Sequence, residues 1–171
     1  MALVASLAVL ATLLGLINLL LTVALVKRVR EHDDKIARFD VPIPAALAEL
    51  GERIDDFEAS TVDGAPLTRA ALPEGTLVGF FDPQCETCAE ELPKWAEVAK
   101  SLPLGREQAL AVIREAPDQE EMIDVASPHA HVVVERRRGP VARAFRVKAT
   151  PAFCVLGAGQ VVASHEFTPA E

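Results

Sequence analysis

The chain has 171 residues, half of them apolar, yet it carries a formal charge of −8 from 17 Lys and Arg against 25 Asp and Glu. The acidic balance excludes a nucleic-acid binder held by net basic charge, and the charge content excludes a polytopic membrane protein. Three cysteines in this length exclude a disulfide-rich mini-protein.

The apolar residues are unevenly spread. From Ala2 to Val26 there are 25 residues without a charge, and 20 of them are Ala, Val, Ile or Leu. As a helix this run spans about 37 Å, enough to cross a ~30 Å hydrocarbon core with some tilt. A cleaved signal peptide would want a basic start, a shorter apolar stretch and a small-residue cleavage site. The Met1-Ala2-Leu3-Val4 start and the Lys27-Arg28-Val29-Arg30 ending fit an uncleaved anchor over residues 1–26 instead. Thr12, Gly15, Asn18 and Thr22 recur at three- and four-residue steps along one helix face. That face suits contact with another membrane helix, such as a redox partner, and equally suits a scatter of weakly polar residues. Lys27, Arg28 and Arg30 follow the span, so the positive-inside tendency places the domain in the cytoplasm.

Residues 27–50 are polar, helix-prone and interrupted by Pro42 and Pro44, which reads as a juxtamembrane stalk. Gly51 opens a domain running to residue 171. Phe57 to Leu67 alternates loosely around Asp63-Gly64, a hairpin signal. Thr76 to Phe81 is a short apolar run suited to a buried strand, broken by Asp82-Pro83-Gln84, and Glu86 to Lys100 follows with helical spacing. Further on come a strand at Ala109 to Ile113, an acidic helix at Pro117 to Ala126 and a strand at His131 to Val134. A basic helix at Pro140 to Val147, a strand at Phe153 to Leu156, a turn at Gly157 to Gln160 and a strand at Val161 to Phe167 complete the pattern. Strands alternating with helices argue an α/β fold, a mixed sheet flanked by helices on both faces.

Cys85-Glu86-Thr87-Cys88 falls where a strand stops and a helix begins. Free N–H groups and the helix dipole favour an anion there, so the first thiol should ionise more readily than a free one. The thiolate is the attacking species in disulfide exchange, and Cys88, one turn in, can resolve the mixed disulfide. The pair alone is also half of a zinc site.

The segment Phe80-Phe81-Asp82-Pro83-Gln84-Cys85-Glu86-Thr87-Cys88, with Glu91-Leu92-Pro93 behind it, resembles the thioredoxin-like superfamily, specifically its membrane-anchored TlpA/ResA and MauD-type branches. Thr150-Pro151, 62 residues after Cys88, looks like the cis-proline that faces the cysteine pair in those folds. The apolar start, the stalk and the Phe57 hairpin resemble the MauD layout in particular. The resemblance implies a thiol–disulfide oxidoreductase with Cys85 as nucleophile and Cys88 as resolving thiol. It implies Thr150 and Pro151 in a substrate groove, protein thiols and disulfides as substrates, and no cofactor. MauD-like proteins are associated with maturation of methylamine dehydrogenase and TlpA/ResA-like ones with cytochrome c or oxidase assembly. Both imply a domain outside the cytoplasm, against the charge rule.

Glu91 lies one turn beyond Cys88; partly buried, it would suit proton transfer with that thiol, and exposed it would be an ordinary helix residue. Glu86, between the cysteines, opposes thiolate formation. Gly79 stands where thioredoxin itself carries a buried Asp, and Gln84 rather than Trp precedes Cys85. Thr168-Pro169-Ala170-Glu171 is a good helix start with no helix after it, so the family's final helix is expected to be missing or cut off.

Other residues admit other chemistry. Cys154 sits in an apolar strand and reads as a core thiol. His129, His131 and His165 with the two motif cysteines could hold a metal, as in a membrane-held copper or zinc chaperone. Copper-delivery proteins of the Sco type, however, space their cysteines by three residues rather than two. A peroxiredoxin would carry Thr or Ser where Asp82 stands. Residues 135–148 sum to +5, leaving −13 for the rest of the chain, and this block suits anionic headgroups, an acidic partner or simple solvation.

Overall fold

The computed structural model describes residues 46–165. The anchor assigned to residues 1–26, most of the 27–50 stalk and the chain end after His165, with its expected helix start, lie outside the described residues. Among the described residues no helix is long and apolar enough to cross a membrane.

Glu58–Ser60 (β1) and Pro66–Thr68 (β2) pair antiparallel, the hairpin expected around Asp63-Gly64. Gly64 takes φ +81°, which a side chain would resist. Thr61 closes the turn, its carbonyl accepting from Gly64 N–H at 2.9 Å and its hydroxyl from Ala65 N–H at 3.1 Å.

Leu77–Phe81 (β3), Ala109–Arg114 (β4), His131–Glu135 (β5), Ala152–Leu156 (β6) and Val162–Ser164 (β7) build one sheet in the order β5-β4-β3-β6-β7. The first three run parallel, while β6 and β7 add antiparallel. Every residue of β3 is buried, as a continuous apolar run predicts for a central strand covered on both faces.

Strand alternation divides the core. Leu77 and Phe81 face Glu86–Lys100 (α1) and Gln119–Ala126 (α2), packing with Cys88, Leu92, Trp95 and Met122. Val78 and Phe80 face the other side, onto Val141 and Phe145 beside Pro140–Ala144 (α3). Leu47 and Ala48 join this second layer, so packing reaches into the end of the segment assigned to the stalk. Backbone bonds hold them there: Ala48 N–H donates to the Phe145 carbonyl and Lys148 N–H to the Ala46 carbonyl, both at 2.7 Å.

The basic helix expected over Pro140 to Val147 stops at Ala144. Arg146 turns left-handed there at φ +54°, and its guanidinium pairs with Glu52. The left-handed residue closes the helix locally: Arg146 N–H donates to the Arg143 carbonyl and Val147 N–H to the Ala142 carbonyl, both at 2.9 Å.

Candidate active site

Cys85 is the N-cap residue of α1, with extended backbone at φ −109° and ψ 112°. The turn that delivers it is tied internally: Cys85 N–H donates to the Asp82 carbonyl at 3.0 Å, and Gln84 N–H to Asp82 Oδ1 at 2.9 Å. The Cys85 carbonyl then accepts from Cys88 N–H at 3.0 Å and Ala89 N–H at 3.2 Å, opening the helix. Cys85 is half-buried, Cys88 fully buried, and both are free thiols. Burial above all, and then the neighbouring Cys85 sulfur, pushes the Cys88 thiol up to about 12. Cys88 is therefore neutral near physiological pH.

Long-range packing brings the second motif to the first. The Thr150–Pro151 peptide is cis, and Cys85 Sγ donates to the Thr150 carbonyl at 3.8 Å. Pro151 has no N–H to donate. Further along α1, Pro93 removes the bond that the Ala89 carbonyl would otherwise receive.

Two residues that sequence reasoning missed hold this region. Arg114, at the end of β4, grips Asp82 with Nε and Nη2 each 2.6 Å from a carboxylate oxygen. Its Nη2 also donates to Gln84 Oε1 at 2.8 Å. The guanidinium holds the Asp82 carboxyl below the usual carboxylate range. Glu135, buried at the end of β5, accepts from Val141 N–H at 2.9 Å and Ala142 N–H at 2.7 Å, satisfying donors at the start of α3. Burial nevertheless raises its pKa.

Gly79 explains why no carboxylate lies beneath the cysteines on this strand. A Cβ there would come within 2.7 Å of the Phe81 ring and 2.9 Å of the Trp95 ring. Those rings meet edge to face at 5.5 Å and fill the space.

Glu91 lies on α1 with its side chain 28% exposed and pairs with Lys94 at 2.6 Å. Cys154 is buried on the opposite face of the sheet from Cys88, and burial pushes it up to about 12. His131 sits at the start of β5, the sheet end away from Cys85, and meets Glu107 at 3.1 Å. His165 meets the Ala48 carbonyl at 2.7 Å. No group of three or more metal-binding side chains occurs among the described residues.

No family model matches the chain, and no curated protein does. Solved structures do. The chain is similar to a thio-disulfide isomerase from Thermus thermophilus at 24% identity, covering 68% of this chain and 84% of that one with a TM-score of 0.53. It is similar to a secreted Mycobacterium tuberculosis disulfide oxidoreductase homologous to E. coli DsbE, at 20% identity over 67% of this chain and 87% of that one, TM-score 0.53. A third match is the thioredoxin domain of a thiol-disulfide oxidoreductase from Bacteroides vulgatus, at 12% identity over 70% and 89%, TM-score 0.57. The fold is thus thioredoxin-like, the fold of these thiol–disulfide oxidoreductases.

Proposed function

We propose that the chain is a membrane-anchored thiol–disulfide oxidoreductase that exchanges disulfides with protein substrates through Cys85 and Cys88. The observation that carries this reading is one juxtaposition: a half-buried thiol on the N-cap residue of a helix, its sulfur 3.8 Å from the carbonyl preceding Pro151.

In the reducing direction, the Cys85 thiolate attacks a substrate disulfide. One substrate sulfur bonds to Cys85 and the other leaves as a thiolate that takes up a proton. Cys88 then loses its proton and attacks the Cys85 sulfur. The Cys85–Cys88 disulfide forms, and the second substrate thiol departs. Two electrons have passed from the pair to the substrate, and the reverse sequence oxidises a dithiol. Because burial keeps Cys88 protonated, its step needs a proton acceptor. Glu91, one turn along α1 and mostly shielded, is assigned that role. Pro151 leaves the groove edge free for a substrate strand. The exchange itself requires no metal or organic cofactor.

The finer placement follows the resemblance to the TlpA/ResA and MauD-type branches: anchor at residues 1–26, domain outside the cytoplasm, and a role in maturing an extracytoplasmic enzyme or cytochrome. A membrane-impermeant thiol reagent applied to intact cells should label Cys85; labelling only after lysis would reverse the orientation. The activity is tested with the purified full chain. It should accelerate reduction or formation of a disulfide in a protein substrate, and Cys85→Ser should abolish that acceleration. An unchanged rate in Cys85→Ser would remove the reading.

A further inference from the structure

The basic block at 135–148 borders the site. A groove of about 590 Å³ opens beyond the carboxyl ends of β3, β4 and β5. Its cations are Arg114, Arg136, Arg137, Arg138 and Lys148, and its acids are Asp82 and Glu135. Both acids are already engaged. Arg114 pairs with Asp82, and Glu135 is buried against the Val141 and Ala142 N–H groups. Arg136 lies 3.3 Å from Glu115. Among the described residues, Arg137, Arg138 and Lys148 have no ion-pair partner. The groove therefore keeps surplus positive charge inside a strongly acidic chain.

The turn carrying these arginines is fixed at both ends. Gly139 N–H donates to the Arg136 carbonyl at 2.8 Å, and Arg138 takes φ +61°. A Cβ at Gly139 would lie 2.5 Å from the Glu135 carboxylate, so the capping acid and the turn are packed against each other. Gln84 and Thr150 line the same groove, and the Thr150 carbonyl is the atom 3.8 Å from Cys85 Sγ. The groove that holds the arginines thus reaches residues that adjoin the reacting sulfur. The surface is concave, which an extended peptide can enter and a planar bilayer cannot.

We propose that this groove docks an acidic segment of the protein substrate, so that a cysteine next to that segment meets Cys85. The inference rests on the oxidoreductase reading and names the substrate class that reading leaves open. Carboxylates spaced along an extended strand would meet Arg137, Arg138 and Lys148 in turn, with long-range attraction speeding encounter.

The test uses the full chain and a pair of fluorescent peptides, one with Asp and Glu flanking a central position and one with Lys there. With Ser at the centre, the acidic peptide should bind about tenfold tighter at low salt, and the gap should close as ionic strength rises past the ~10 Å screening length of 0.1 M salt. The Arg137→Gln/Arg138→Gln variant should bring the two affinities together. Equal affinities in the unaltered chain, or an acidic preference that survives in that variant, would overturn the proposal. Tighter retention on phosphatidylglycerol than on phosphatidylcholine vesicles, lost in the variant and paired with equal peptide binding, would assign the block to a lipid surface and overturn it too. With Cys at the centre, both peptides offered as disulfides report on the chemistry separately. If the chain reduces neither peptide disulfide the oxidoreductase reading fails, whereas the Ser peptides still decide the docking.

Discussion

Arg114 clasps Asp82 with two nitrogens, each 2.6 Å from a different carboxylate oxygen, across a gap between the end of β4 and the turn that delivers Cys85. Both side chains are mostly shielded, 27% and 23% exposed, so the pair is stronger than one in open solvent. Arg114→Ala should cost about 1–3 kcal/mol in denaturant unfolding and slow exchange through Cys85 by loosening the turn. Arg114→Lys should recover little of either, because an ammonium cannot make the fork. Full recovery by Lys would show that charge alone, without the fork, positions the turn.

Two carboxylates give opposite pH signatures. Arg114 holds the folded pKa of Asp82 below its ordinary 3.8, so the pair's contribution is complete above that value and fades as pH falls through the lower folded one. Burial raises the folded pKa of Glu135 above its ordinary 4.5, so its contribution is full below 4.5 and fades as pH rises through the higher one. Unfolding midpoints measured against pH should show Asp82→Asn flattening the acid limb and Glu135→Gln flattening the decline above pH 4.5. The same acid limb in Asp82→Asn would mean that other carboxylates set it.

Gly79 should resist substitution. Gly79→Ala drives a methyl group into the Phe81 and Trp95 rings at 2.7 and 2.9 Å, an overpacking expected to cost about 1–3 kcal/mol. Gly79→Asp adds a buried charge and should cost more. A Gly79→Asp domain with an undiminished unfolding midpoint would show that the rings move aside easily.

Much of this layout was legible in the sequence. The runs at Thr76 to Phe81 and Ala109 to Ile113 announced buried strands because both of their faces are covered, and Cys85 announced the site because it stands where such a strand meets a helix. Arg114 did not announce itself. It stands just past the apolar run at Ala109 to Ile113, and its partner lies far back in the chain, a pairing that no local periodicity records. Glu135 read as a single minus sign in a basic block, whereas the fold buries it to cap α3. The helix expected to Val147 stops at Ala144 because Arg146, a non-glycine residue, takes the left-handed conformation that closes it, which sequence spacing does not signal.

Glu91 separates a catalytic role from a helix-surface one. If it carries the Cys88 proton, Glu91→Gln should slow closure of the Cys85–Cys88 disulfide by about tenfold to a hundredfold, while the first attack by Cys85 keeps its rate. Removing its ion-pair partner through Lys94→Gln should change closure far less. Stopped-flow measurement of both steps would decide, and equal closure rates in Glu91→Gln and the unaltered chain would leave Glu91 as a partner of Lys94 alone.

The most direct measurement reacts the full-length Cys88→Ser variant with a disulfide-bonded protein substrate and locates the adduct by mass spectrometry of the proteolysed product. With Cys85 as nucleophile and its resolving thiol removed, a mixed disulfide should accumulate on Cys85, persist, and be absent from the buried Cys154, while the unaltered chain clears it. Failure to form that adduct, or equal persistence of it when Cys88 is present, would contradict the assignment of attack to Cys85 and resolution to Cys88.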